Sequence, residues 1–264
     1  MIKRYGLIVA SGDIDDYTFH RAALGQLPAP HKVYCADGGL RHVKRLEIKP
    51  DLIIGDFDSA DAAMLDEYRA MGVALERLPA DKDFTDTEFA AVRAVCDGCG
   101  AILVFGAFGS RVDHVYANLQ LSHKFALRGV RVALANAKCV AAALAPGDAM
   151  IIKKNNVISS MLNLPDHILC THDNPPDFTA PQMPDIFAPH PPLFAGPIAM
   201  ANPKLSIFPA GGAVKILRAS GLKYALPAAP LPSDYTSGVS NEFTGGEASL
   251  EIGEGVIYVM VCDD

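Results

Sequence analysis

Over roughly its first 135 residues this chain alternates between two hydrophobic periodicities, and the alternation restricts the folds open to it. Short apolar runs stand at Tyr5–Ala10, Lys32–Ala36, Asp51–Gly55, Val73–Leu78, Ala101–Phe105 and Val130–Ala135. Segments with helical spacing lie between them, at about Tyr17–Leu24, Leu40–Leu46, Ala60–Met71, Thr85–Val95 and Val112–Leu127. Strands alternating with helices build βαβ units. The expected fold is therefore α/β, with a mainly parallel N-terminal sheet covered by helices on both faces.

The pattern changes after Ala135. Helical spacing stops and proline becomes frequent, with Pro175-Pro176 and Pro191-Pro192 inside a weakly periodic stretch from Lys153 to about Pro203. That stretch reads as a long loop or lid. Strand-like runs resume at Leu205–Pro209, Ala213–Arg218, Ala248–Ile252 and Val256–Val261, separated by glycine-containing turns. Short strands without intervening helices predict a C-terminal antiparallel β-sandwich. The expected division is an α/β catalytic domain over residues 1–137 and a sandwich over 138–264, with a proline-rich insertion at about 153–203.

Four aspartate-bearing segments each follow an apolar run and precede a helical pattern. They are Ala36-Asp37-Gly38-Gly39, Gly55-Asp56-Phe57-Asp58-Ser59, Lys82-Asp83-Phe84-Thr85-Asp86-Thr87-Glu88 and Gly109-Ser110-Arg111-Val112-Asp113-His114. A parallel sheet gathers such loops along the carboxyl ends of its strands, where ligands bind. Carboxylates brought together repel one another unless a cation sits among them, and a hard divalent ion suits their oxygens. The chain thus reads as a metal-dependent enzyme acting on a polyphosphate.

Each segment also has a plainer reading. In an extended Asp56-Phe57-Asp58 both carboxylates face one cation while Phe57 points into the core; the same residues also make a polar turn. Ser59 is placed to cap a helix from Ala60, with Asp61 in its first turn. Thr85 and Glu88 fit a capping box, each satisfying a backbone donor of the other. Lys82 can hold a phosphate oxygen or remain solvated. The glycines of Gly106–Gly109 let backbone approach a phosphate, and Arg111 can grip one bidentately, although the segment lacks the P-loop Gly-Lys-Ser/Thr ending. Asp37-Gly38-Gly39 is either a ligand-facing turn or a plain one. His20, His31 and His42 read as surface or packing residues, and His114 has the stronger claim to chemistry because it adjoins Asp113.

A net charge of −7 argues against a nucleic-acid binder with a broad basic face. No apolar run approaches the ~20 residues that span a bilayer. Six dispersed cysteines, with Cys96 and Cys99 as the only close pair, fit free thiols in a reducing compartment, so a cytoplasmic location is expected.

Taken together, the motifs resemble the thiamine pyrophosphokinase family. The resemblance rests on the four segments, with the second extended to Lys49-Pro50-Asp51-Leu52-Ile53-Ile54-Gly55-Asp56-Phe57-Asp58-Ser59. Gly221-Leu222-Lys223-Tyr224-Ala225-Leu226 and Gly238-Val239-Ser240-Asn241-Glu242-Phe243 carry it into the C-terminal half. It implies Mg²⁺-dependent transfer of pyrophosphate from ATP to thiamine, releasing AMP. It also implies a homodimer whose active site lies at the subunit interface. By position, Asp56, Asp58 and Asp86 would ligate the metal. Lys82, Thr85 and Arg111 would hold phosphates, Asp37 and Asp113 would complete the acidic site, and Ser240 and Asn241 would contact thiamine. The stretch 153–203 departs from the family pattern. A D-x-D glycosyltransferase would fit Asp56-Phe57-Asp58 but leave the C-terminal sandwich and Lys82–Glu88 unexplained, and a non-catalytic thiamine- or nucleotide-binding protein would gain ground only if the matching carboxylates were missing, and none is.

Overall fold

Five crossover connections organise the first half. The elements are β1 (Arg4–Val9), α1 (Tyr17–Gly25), β2 (His31–Ala36), α2 (Leu40–Leu46), β3 (Leu52–Gly55), α3 (Ala62–Ala70), β4 (Ala74–Arg77), α4 (Asp86–Cys96), β5 (Cys99–Phe105), α5 (Val112–Ala126) and β6 (Arg131–Ala135). The computed structural model describes residues 4–27, 31–58, 60–79, 81–162 and 200–264. All pairings among these strands are parallel, in the order β6-β5-β1-β2-β3-β4.

Alternate residues of each central strand feed opposite faces. Leu7, Val9, Leu103 and Phe105 pack with residues of α1, α2 and α3, whereas Ile8, Ile102 and Val104 pack with α4 and α5. Burial on both faces explains why these strands read as unbroken apolar runs. Each fully buried Ile or Leu contributes about 1.5–3 kcal/mol, and truncating one such as Leu103 to alanine costs about 2–5 kcal/mol.

The second half adds β7 (Cys139–Leu144), β8 (Ala149–Lys153), α6 (Val157–Leu162), β9 (Pro203–Pro209), β10 (Lys215–Ser220), β11 (Asn241–Glu242), β12 (Glu247–Glu254) and β13 (Ile257–Asp263). A tight turn at Asn136–Cys139 carries β6 into antiparallel β7, so the sheet continues through β7, β13, β9 and β11, ten strands among the described residues. The boundary expected near residue 137 therefore falls inside one continuous sheet. Strands β10, β12 and β8 form a separate antiparallel sheet. Met150, Ile152, Leu250 and Ile252 from it share a core with Leu205, Ile207, Val259 and Val261 of the large one.

Three local expectations need correction. Asp61, not Ser59, caps α3: its carboxylate accepts from the Ala63 and Met64 N–H groups, and the helix starts at Ala62. Ser59 lies outside the described residues. Residues 157–162 of the supposed loop form a short helix that buries Val157, Ile158, Met161 and Leu162. Residues 163–199 of that stretch lie outside the described residues. Strand β7 went unrecognised because Val140-Ala141-Ala142-Ala143-Leu144 is alanine-rich, and alanine is depleted in strands. Here small side chains suit a strand packed beneath a helix, since Ala143 shares a cluster with Ala126 of α5.

Candidate active site

The order of the parallel strands reverses between β1 and β5, which opens a crevice beyond their carboxyl ends. The loops after these two strands are strapped together there. The Ala10 N–H donates to Phe105 O at 2.8 Å and the Gly12 N–H to Gly106 O at 2.9 Å. The contact admits no side chain: a Cβ on Gly12 would lie 2.4 Å from Gly106 O, and one on Gly106 (φ +63) would lie 2.4 Å from Ala10 O. Asp13 Oδ2 accepts from the Ser110 N–H at 2.9 Å, and Asn118 of α5 donates to Ala107 O at 2.8 Å.

Further along the same sheet edge, at the ends of β3 and β4, two of the expected acidic residues converge. Lys82, whose side chain is only 10% exposed, places its Nζ 2.7 Å from Asp86 Oδ1 and 3.8 Å from Asp56 Oδ2. Asp56 follows β3, Lys82 follows β4 and Asp86 opens α4, so neighbouring strand ends deliver all three. Asp37 joins them from the end of β2, in a 3-10 turn at Asp37–Gly39. Its Oδ1 lies 2.9 Å from where a Cβ on Gly55 would sit, so the absence of a side chain at Gly55 admits the carboxylate.

Asp58 behaves differently. Phe57 has φ +63, so the D-x-D segment is not extended and the two carboxylates need not share a direction. Asp56 Oδ1 accepts from the Asp58 N–H at 3.1 Å, which closes a small turn, while the Asp58 side chain is exposed. Phe57 does pack against the core, with Arg77 over its ring. Among the described residues no three His, Cys, Asp or Glu side chains form a ready metal cluster.

Thr85 caps α4 as expected, its Oγ1 accepting from the Glu88 N–H at 3.1 Å. The return half of the capping box is missing. The Glu88 carboxylate instead pairs with Lys124 of α5, a full charge that outcompetes a backbone N–H. Arg111 and Asp113 grip one another through two hydrogen bonds at an exposed position. That pairing holds the Asp113 carboxyl below its ordinary range and raises the Arg111 guanidinium. So exposed a pair is screened, and the guanidinium exchanges partners at little cost. His114 follows on the first turn of α5 and is exposed.

In the C-terminal half, Ser240 and Asn241 are adjacent but do different things. Ser240 is exposed in the left-handed region (φ +54), and its N–H donates to Ser206 Oγ. Asn241 is buried, and its amide makes three hydrogen bonds to neighbouring backbone. Oδ1 accepts from the Tyr224 N–H at 3.0 Å and the Glu242 N–H at 2.9 Å, while Nδ2 donates to Tyr224 O at 2.7 Å. It acts as a clamp on the backbone of the segment that presents exposed Tyr224.

The residues of the first loop were missed. Asp13 also follows an apolar run, the same signal that singled out the other aspartates. His42 reads as a packing residue and is buried, but its ring ties α2 to this loop: Nε2 lies 2.7 Å from Gly12 O and Nδ1 2.6 Å from Tyr17 Oη. A carbonyl only accepts, so Nε2 carries the proton and the Tyr17 hydroxyl donates to Nδ1. With its proton in place Nε2 cannot accept, so Arg41 Nε, 3.2 Å away, makes no hydrogen bond to it. Burial pushes the His42 pKa down, against the opposing pull of the Gly12 hydrogen bond. A cavity of about 480 Å³ opens here, lined by Asp13, Asp15, Tyr17, Arg41, His42 and Arg45, among others.

Comparison with known proteins gives a consistent picture. The thiamin pyrophosphokinase catalytic domain family matches residues 28–134, and the thiamin pyrophosphokinase vitamin B1 binding domain family matches residues 198–257. Thiamine pyrophosphokinase 1 of Oryza sativa subsp. japonica is 29% identical over 126 residues, covering 40% of this chain and 47% of that protein. Thiamine pyrophosphokinase 3 of the same plant is 32% identical over 114 residues, or 34% and 42% of the two chains. The chain spans about half the length of the curated relatives it matches. Among solved structures, thiamine pyrophosphokinase from Bacillus subtilis superposes with a TM-score of 0.71 at 20% identity, covering 99% of this chain and 100% of that one. Thiamin pyrophosphokinase from Candida albicans does so at 0.66 and 15% identity, covering 99% and 90%. At these identities the likeness establishes the fold.

Proposed function

The chain belongs to the thiamin pyrophosphokinase family, with both its catalytic and its vitamin B1 binding parts, and from that premise we propose that it transfers pyrophosphate from ATP to thiamine, giving thiamine diphosphate and AMP. One observation carries the reading: Asp56 and Asp86 converge on the buried Lys82 ammonium at the carboxyl ends of β3 and β4, on the same sheet edge as the β1/β5 crevice. Asp56 and Asp86 would offer Mg²⁺ hard oxygen donors once the Lys82 ammonium that pairs with them turns to phosphate, and Asp58, exposed on the adjoining turn, would be the third carboxylate to hold it. When bound, the ion would offset charge on the phosphates during transfer.

The chain's own residues account for the rest. Lys82 sits where it can neutralise a phosphate oxygen, and Arg111 is free to trade Asp113 for a bidentate phosphate contact. Thr85 fixes the start of α4, and so the position of Asp86. The cavity by Asp13 offers Arg41, Arg45 and the Tyr17 ring, which suits an anionic, ring-bearing ligand such as a nucleotide. Asp37 and Asp113 complete the acidic surround, and either could take the proton of the thiamine alcohol. Ser240 is the thiamine contact on the C-terminal side, with Asn241 positioning the neighbouring segment rather than touching ligand. We place the thiamine site between two copies of the chain, as a homodimer. A cytoplasmic location accords with free thiols at Cys35, Cys96 and Cys99; among the described residues no helix is long and apolar enough to cross a membrane.

The test is a product assay on purified protein with ATP, Mg²⁺ and thiamine. AMP should form in proportion to thiamine diphosphate. ADP as the stoichiometric product would overturn the reading.

A further inference from the structure

The geometry points to a second chemical site in this protein: Cys139 and Cys262 form a dithiol that exchanges with a small-molecule disulfide and closes reversibly into a cross-strand disulfide.

The two residues face one another on β7 and β13, paired directly in the antiparallel register. Two independent hydrogen-bond patterns fix the kind of pair they make. The backbone of Cys139 is turned toward β6: its carbonyl accepts from the Asn136 N–H and its N–H donates to Asn136 Oδ1. The neighbouring pair toward β13 is the hydrogen-bonded one, with the Asp263 N–H donating to Lys138 O at 2.8 Å. Bonded and non-bonded pairs alternate along such a ladder, so Cys139 and Cys262 occupy a non-hydrogen-bonded pair. There the Cα atoms are about 4.5 Å apart and side chains approach most closely, within the range a disulfide spans. The Sγ atoms lie 2.8 Å apart.

Both residues are partly exposed, unlike the buried thiols of Cys35 and Cys99. The contact also differentiates them. Its hydrogen bond holds Cys262 below the ordinary thiol range and, together with burial, pushes Cys139 up. Cys262, on the final strand, is assigned as the attacking thiolate, and Cys139, directly across the ladder, as the resolving thiol.

The exchange balances in two steps. The Cys262 thiolate attacks one sulfur of the small disulfide, forming a mixed disulfide and expelling one small thiolate. Cys139 then gives up its proton and attacks the Cys262 sulfur, expelling the second. Two protein thiols are oxidised, one small disulfide is reduced to two thiols, and both protons end on them. The link joins residues 123 apart in sequence. It staples the final strand to β7, at the seam between the parallel strands and the strands leading to Ser240 and Asn241.

The experiment exposes the reduced full chain to oxidised glutathione, quenches with iodoacetamide and maps peptides without reduction. The expected product joins the Cys139 and Cys262 peptides, two hydrogens lighter than their sum, and reverts with dithiothreitol. Oxidation should raise the unfolding temperature by on the order of 5 °C. Cys139→Ser should retain glutathione on Cys262, because the resolving thiol is gone. Alkylation of both thiols while exposed Cys96 takes up glutathione would overturn the proposal. So would a link from Cys262 to Cys96 or Cys170, and the wild-type map decides this without any variant.

Discussion

Asn241 offers a direct measure of whether the C-terminal motif binds ligand or builds the frame that does. Asn241→Leu keeps the branched outline of the side chain and removes its polar atoms. The Tyr224 N–H and C=O lose their partners, and the Glu242 N–H loses its side-chain acceptor. Three hydrogen bonds at about 0.5–1.5 kcal/mol each set a range of about 1.5–4.5 kcal/mol. Tyr224 is half exposed, so water recovers part of the loss, and a destabilisation of about 2–3 kcal/mol is expected. With a urea m-value of about 3 kcal/mol/M, the unfolding midpoint should fall by roughly 1 M. If Asn241 contacted thiamine as a ligand group, the midpoint would stay put while the thiamine KM rose. An unchanged midpoint would therefore refute the clamp.

Four further outcomes follow from the same geometry. Lys82→Met removes the ammonium between Asp56 and Asp86. The metal-free protein should lose about 1–3 kcal/mol, below the buried-pair figure because the carboxylates are a quarter exposed. Mg²⁺ should then raise Tm more in the variant than in the wild type, and an equal rise would contradict a shared cation site. Asp58→Ala and Asp86→Ala should each abolish AMP formation with the cooperative unfolding transition retained; wild-type turnover in either would remove that residue from the metal assignment. Asp148→Ala strands Arg131, which is 2% exposed and whose Nη2 lies 3.2 Å from Asp148 Oδ2, so a loss of about 3–5 kcal/mol is expected in chemical denaturation. Finally, burial depresses the His42 pKa, so below about pH 6.5 the unfolded chain binds a proton that the folded one resists. Stability should fall as pH drops from that point toward the lower folded value. His42→Gln should make the slope shallower, and an unaltered slope would mean the buried ring does not titrate on unfolding.

What the sequence discloses and what it withholds divide along a physical line. The central parallel strands were legible because they are buried on both faces, which leaves apolar runs such as Ala101–Phe105, whereas the edge strand β4 is exposed or half-buried throughout and was legible from its place between two helices. Strand β7 was not, since its alanines answer to α5 lying above them, a contact from elsewhere in the chain. The acidic loops were found by type and position, but their partners were not. Glu88 is the clearest instance. Its spacing from Thr85 satisfies the capping-box rule, yet the carboxylate goes to Lys124, 36 residues away, because an ion pair outweighs a local N–H. Phe57 makes the same point for the backbone. The i, i+2 argument for Asp56 and Asp58 needs an extended chain, and a left-handed Phe57, its ring packed against the core under Arg77, breaks it. A motif therefore specifies which groups reach the edge of the sheet, while tertiary charge and packing decide which of them meet. That is why Lys82, ambiguous as an isolated lysine, becomes the centre of the site once β3 and β4 lie side by side.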